Sequence, residues 1–154
     1  MLTVVLACAL LVALTTVFHY EVLRSLNSGL PSLRMPDRFK LLVVMLVAFC
    51  AHAFEMLLYG LVSYALISFL EVGTLAGSAL SSLASCLYFS AETYTSLGFG
   101  DLTPTGPLRL LAGVEALNGL LLIGWTASFT YLSMERFWNA APCAERKGVE
   151  NTDV

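Results

Sequence analysis

Three apolar runs set the terms on which this chain can fold. Met1 to Phe18 has no charge, Leu41 to Leu70 has only His52 and Glu55 as ionisable interruptions, and Leu110 to Met134 has only Glu115. A helix that spans a bilayer needs about 20 apolar residues, so each run is long enough or nearly so. The middle run, as a helix, extends about 45 Å and must tilt or project past the hydrocarbon. Only 12% of the 154 residues are charged, against roughly 25% in a soluble domain. The chain therefore lacks the polar surface to face water all round, and the membrane is its natural solvent. The first run has no charged segment ahead of it, and "TTVFHYEVLR" offers no small-residue cleavage site. A retained helix is expected rather than a signal peptide.

Other classes drop out. Cys8, Cys50, Cys86 and Cys143 are scattered with no CxxC pair, so neither a zinc ribbon nor a redox motif is signalled. No basic stripe points to nucleic acid, and the net charge of -3 says little about partners. Orientation follows from the basic residues, which mark the cytoplasmic side. Arg24, Arg34, Arg38 and Lys40 flank the link after the first run, and Arg136, Arg146 and Lys147 follow the third. The expected topology has the N-terminus outside, three crossings, and the C-terminus in the cytoplasm. Gly29, Pro31 and Pro36 break helix in the first link. The stretch after Trp138 reads as a short polar tail, too small for a ligand-binding domain.

Between the second and third runs lies a segment too short and too polar to span. "SSLASCLYFSAETY" reads as a half-helix with Ser81 or Ser82 as its N-cap. "TYTSLGFGDLTP" follows. Irregular backbone at membrane depth is tolerated only where protein buries it or a wet path runs beside it. To strip water from a cation, successive carbonyls must point the same way, whereas an ordinary strand alternates them. Alternating left- and right-handed dihedrals align them, and glycine reaches the left-handed region at little cost. Gly98 and Gly100, spaced by one, supply that alternation. Ser96 adds a hydroxyl oxygen, Leu97 and Phe99 are expected to point back against the supporting helix, and Asp101 sits at the mouth, where carboxylates concentrate cations.

Thr95-Ser96-Leu97-Gly98-Phe99-Gly100-Asp101 resembles the pore loop of potassium channels, whose usual form is Thr-Val-Gly-Tyr-Gly-Asp. Ser96 stands for the usual Thr, Leu97 for Val and Phe99 for Tyr. Upstream, "SAETYTS" is similar to the pore helix of bacterial potassium channels, with Glu92 at the position of the carboxylate behind the filter. The resemblance implies that Glu92 pairs with Asp101, and two acids so close should share a proton. It places Tyr88 and Phe89 in the aromatic cuff, with Tyr88 able to hydrogen-bond Asp101. It makes "PLRLLAGVEALNGLLLIGW" an inner helix with Gly119 near the gating hinge. It further implies K+ sites at Ser96, Leu97, Gly98 and Phe99, a homotetramer in the lipid of the cell (inner) membrane, and no cofactor beyond the permeant ion.

The resulting fold class is an all-α membrane protein: three transmembrane helices, with a re-entrant pore helix and selectivity-filter loop between the second and third. The expected division is 1–26 for a peripheral helix, 27–39 for a cytoplasmic loop, 40–138 for the pore domain and 139–154 for a flexible tail. Within the pore domain, 40–71 is the outer helix, 81–94 the pore helix, 95–101 the filter and 107–138 the inner helix. The expected function is a potassium-selective channel and not an enzyme; no nucleophile–base pair has convincing spacing. A weakly selective monovalent cation channel is the nearest alternative.

The remaining polar residues in the oil carry a second reading. His52 and Glu55 share a face at i and i+3, Tyr59 continues it, and Glu115 and Asn118 share a face of the third helix. Intramembrane ionisable groups are expensive and commonly mark function. Residue counting sets Glu115 only about 6 Å from Glu55 in depth, so a cluster of His52, Glu55 and Glu115 is feasible. Such a cluster either ties helices together or makes the chain a membrane proton or metal sensor or accessory subunit. His19 and Glu21 are expected at the inner interface with structural roles, Tyr131 and Trp138 as interfacial anchors, and Trp125 toward the inner leaflet or a neighbouring helix.

Overall fold

The computed structural model describes residues 1–32, 35–77 and 82–150, and their side chains except at 32, 37 and 137–150. Among these, four α-helices and one minimal strand pair follow in the order α1 Leu2–Gly29, α2 Asp37–Leu70, β1 Leu75–Ala76, α3 Leu83–Tyr94, β2 Thr103–Pro104 and α4 Leu108–Glu150. Three helices are long and apolar enough to cross a membrane: Leu2–Gly29, Arg38–Leu70 and Leu108–Arg136. The protein is thus a multi-pass membrane protein built almost wholly of helix. Arg34, Ser81 and residues 151–154 lie outside the described residues, as do the side chains of Trp138 and Cys143.

The breaks fall where backbone chemistry demands them. Pro31 cannot continue α1, and a short 3-10 turn, Leu30–Ser32, follows. Pro36 is extended (φ -56°, ψ 143°) and opens α2, its carbonyl accepting the Phe39 N–H at 2.9 Å. Ser82 caps α3, its hydroxyl accepting the Ser85 N–H at 3.1 Å; such a cap contributes about 1 kcal/mol. The α4 helix runs on to Glu150, past the end expected at 138 and through Pro142 and Gly148; Ala, Glu, Arg and Lys make up just over half of that stretch.

Each helix packs on at least two of the others. α3 wedges between α2 and α4, and α1 lies against both α2 and α4. One apolar core joins Val4, Cys8 and Leu11 of α1, Tyr59 and Leu66 of α2, Cys86 and Phe89 of α3, and Leu111 of α4. A second, toward the other end of α1, joins Leu23, Leu26 and Leu30 to Val44. Two glycines let α3 in. A Cβ at Gly60 would lie 2.7 Å from Leu87 Cδ2, and a Cβ at Gly119 would overlap the Tyr94 carbonyl oxygen. Across the loops, β1 pairs antiparallel with β2, Leu75 opposite Pro104 and Ala76 opposite Thr103. The Thr105 N–H donates to the Thr74 carbonyl at 2.9 Å and extends that clasp. It brings together the two chain segments that flank α3 and the 95–101 loop. Apolar side chains such as Leu6, Leu10, Leu46, Phe49, Leu117 and Leu121 stay exposed on a single chain, as a lipid-facing or oligomeric surface requires.

Candidate functional site

The 95–101 segment leaves the C-terminal end of α3 and folds back on it. The Leu97 and Gly98 N–H groups donate to the Glu92 carbonyl at 2.9 and 3.2 Å, and the Phe99 N–H donates to the Glu92 carboxylate at 3.2 Å. Three successive donors are therefore turned toward one residue of α3. Positive φ recurs at every second position: Ser96 at 56°, Gly98 at 53° and Gly100 at 80°. That repeat removes the alternation of an ordinary strand, so successive peptide units keep one side for their donors. Ser96 holds its left-handed angle without being glycine, a conformation that costs roughly 1–2 kcal/mol.

The support around the segment is acidic and aromatic. Glu92 is 4% exposed. Burial and then the negative charge of Asp101 push its carboxyl above the ordinary range, against the Phe99 N–H, which favours the charged form. Desolvation and the hydrogen-bonding Asp101 carboxylate likewise raise the Tyr88 phenol. The Tyr88 and Phe99 rings lie nearly parallel, 7° apart in plane and 6.5 Å between centroids. Phe99 thus leans toward α3, as expected. Leu97 does not pack there on this chain: it is 61% exposed and Phe99 itself 65%.

Behind α3 the polar side chains sort into separate groups. Glu55 is fully buried and gathers His19 Nδ1 at 2.9 Å, His52 Nδ1 at 3.2 Å and the Tyr94 hydroxyl, which donates to it. His52 Nδ1 also lies 2.9 Å from the Tyr94 oxygen. The second nitrogens of both rings, His19 Nε2 and His52 Nε2, meet Thr126 Oγ1 at 3.0 Å each. All four helices contribute. Apart from the longer His52 Nδ1–Glu55 contact across it, the ring closes through five contacts that each need a proton, and the five side chains carry one apiece in their uncharged forms. The ring is satisfied when it is neutral overall, as a carboxylic acid or as a carboxylate beside one imidazolium. Burial and then Glu55 raise the Tyr94 phenol, which keeps Tyr94 a donor.

Glu115 belongs elsewhere. It does not join His52 and Glu55, because matched depth says nothing of direction around the helix axis; it faces α3 instead. The Ser90 hydroxyl lies 2.5 Å from Glu115 Oε1 and 2.7 Å from the Met56 carbonyl. One hydroxyl proton cannot fill both contacts, and the carbonyl can only accept. The count closes when Ser90 donates to Met56 and a protonated Glu115 supplies the other hydrogen. Asn118 donates to Thr15 Oγ1 at 2.8 Å and to Tyr59 OH at 3.1 Å, tying α4 to α1 and α2.

Comparison with known proteins places the chain in a family. The profile of a family described as ion channel matches residues 41–135, more than half of the chain. The chain belongs to the ion channel family. It is also 39% identical over 61 residues to Protein LctB of Geobacillus stearothermophilus, a stretch covering 40% of this chain and 46% of that relative's length. No solved structure matches. As a member of a channel family the protein is no enzyme, and channels of this family generally carry permeant ions rather than a cofactor.

The profile match runs from Leu41 in α2 to Glu135 in α4 and leaves α1 outside it. Yet α1 supplies the residue that sequence reasoning missed. His19, expected at the interface, is fully buried against Glu55 and lies 5.7 Å from the Trp125 ring. Its signal is present in the sequence: a histidine nearly three turns from the inner end of α1 sits within an apolar helix and needs a polar partner, and the intramembrane acids are the candidates. Tyr94, Thr126, Ser90 and Thr15 were missed as well, since hydroxyls in membrane helices carry no marker of their own.

Proposed function

We propose that the protein is a potassium-selective channel, a homotetramer in the cell (inner) membrane whose four 95–100 segments form a ring of carbonyls around a single file of K+. The observation that carries this reading is the one-sided backbone. With Leu97, Gly98 and Phe99 donors all turned to Glu92, and φ positive at Ser96, Gly98 and Gly100, the carbonyls are free to face an axis away from α3. Carbonyl dipoles at such an axis replace the hydration shell, and ions leave by mutual knock-on.

In this reading α3 is a re-entrant pore helix. Its C-terminal end carries the negative end of the helix dipole toward the cavity. Thr95, Ser96, Leu97, Gly98, Phe99 and Gly100 form the filter, Tyr88 and Glu92 brace it, and Asp101 lines the mouth. α2 is the outer helix, α4 the pore-lining helix with Gly119 near its hinge, and α1 an added peripheral helix. Leu97 and Phe99, exposed on one chain, find cover between neighbouring chains. The N-terminus lies outside and the C-terminus in the cytoplasm, following the basic residues Arg24, Arg38, Lys40 and Arg136. The test is flux from proteoliposomes, potassium against sodium, alongside the mass of the detergent-solubilised complex. Four chains with potassium preference support the proposal. Equal flux of both ions fits the weakly selective alternative, and a monomer refutes the ring.

A further inference from the structure

We propose that His19, His52 and Glu55 bind one first-row divalent transition cation per chain, with the Tyr94 oxygen as fourth donor. The site lies behind the conducting segment and clamps α1 to the rest of the protein; it stands or falls independently of what ion the chain conducts.

The donor atoms are already gathered. One ligand atom from each of the three residues lies within 4.8 Å of the others. Tetrahedral ligands about 2.1 Å from a metal lie about 3.4 Å apart, so the widest pair has to close by up to about 1.4 Å through side-chain rotation when an ion binds. His19 Nδ1 and His52 Nδ1, at 2.9 and 3.2 Å from the Glu55 oxygens, are already at the edge length of a small coordination polyhedron. Two imidazoles and one carboxylate suit Zn2+, Fe2+, Co2+ or Ni2+, and fit Ca2+ or Mg2+ poorly.

The second shell argues for the same occupant. A ligating histidine almost always donates its other ring N–H to an oxygen that fixes the ring. Here both Nε2 atoms converge on Thr126 Oγ1 at 3.0 Å. With the metal on both Nδ1 atoms, both Nε2 carry hydrogen, and one hydroxyl oxygen with two lone pairs accepts both. Tyr94 continues to donate to the free Glu55 oxygen. His52 keeps 15% of its side chain exposed, which gives an ion an approach to a cluster otherwise closed.

Consequences reach the conducting segment, because Tyr94 is the last residue of α3 and Ser96 begins the positive-φ repeat two residues later. The chain holds two histidines in all, which makes the test direct. The full-length protein in detergent is titrated with Co2+ and with Zn2+. Saturation at one ion per chain is expected, with the visible spectrum of cobalt in a low-coordinate nitrogen–oxygen site. Two exchangeable imidazole N–H resonances should shift paramagnetically, one from each histidine. His19→Gln and His52→Gln should each weaken binding at least about tenfold, while Glu115→Gln should leave it unchanged. The proposal is overturned by wild-type protein that shows no saturable binding, by cobalt loading that shifts neither histidine, or by undiminished binding in both histidine variants. In each of those cases the ring is a hydrogen-bonded clamp alone.

Discussion

Glu92 accepts the Phe99 N–H on its carboxylate at 3.2 Å while its own carbonyl takes the Leu97 and Gly98 N–H groups. One residue of α3 therefore holds three consecutive peptide units. Its carboxyl is also raised by burial and by Asp101. An acid raised in the folded state stabilises the fold fully below its ordinary value near 4.5, and that contribution is lost as pH rises through the elevated folded value. Glu92→Gln keeps an acceptor for the Phe99 N–H and removes the titration. Melting temperature in detergent should fall over the pH range above 4.5 in the wild type and stay level in the variant. Parallel slopes in the two proteins would show that Glu92 plays no such part.

Gly119 tests the seating of α3. An alanine Cβ there would overlap the Tyr94 carbonyl oxygen, whereas a Cβ at Gly113 meets nothing within 4 Å. Overpacking of this kind costs about 1–3 kcal/mol. Gly119→Ala should lower thermal stability by that order and Gly113→Ala should not. Equal melting temperatures for the two variants would contradict the close approach, whatever role Gly119 has in opening.

Glu115 separates an acid that works as a donor from one that works as a charge. Glu115→Gln retains an N–H donor for Ser90 and should leave stability nearly unchanged. Glu115→Ala strands the Ser90 oxygen and opens a cavity, at about 1–3 kcal/mol for the lost partner. Thermal melts of both variants decide it, and a glutamine as damaging as the alanine would mean that Glu115 is ionised.

Much of this was legible in the residues, and the reasons are physical. Apolar length alone marks α1, α2 and α4, because 12% charge cannot cover a soluble surface. Ser82 announces α3 because a hydroxyl ahead of an apolar half-helix has orphan N–H groups to satisfy. Gly98 and Gly100 announce the positive-φ repeat, but Ser96, which shares it, does not, since its angle is imposed by the fold. What stayed hidden was direction around a helix axis. On α1 and α2 nearly every face is apolar, so no stripe tells which one packs inward. Hence His19 was set at the interface although it is buried, and Glu115 was grouped with Glu55 although it faces Ser90. The change in polarity sets the expected end of α4 at 138, whereas the helix continues to Glu150.

The central claim is that the backbone carbonyls of 96–99 replace water around K+. Gly98 and Gly100 have positive φ, and a Cβ at either meets nothing within 4 Å on the same chain. An alanine at either position therefore perturbs backbone angle, by about 1–2 kcal/mol, before it perturbs packing within the chain. The most direct measurement is potassium and sodium flux from proteoliposomes, with and without barium, for wild type and Gly98→Ala. Potassium flux that exceeds sodium flux, is blocked by barium and is abolished by Gly98→Ala is the predicted result. Flux that is equal for the two ions, indifferent to barium and unchanged in Gly98→Ala would contradict the account.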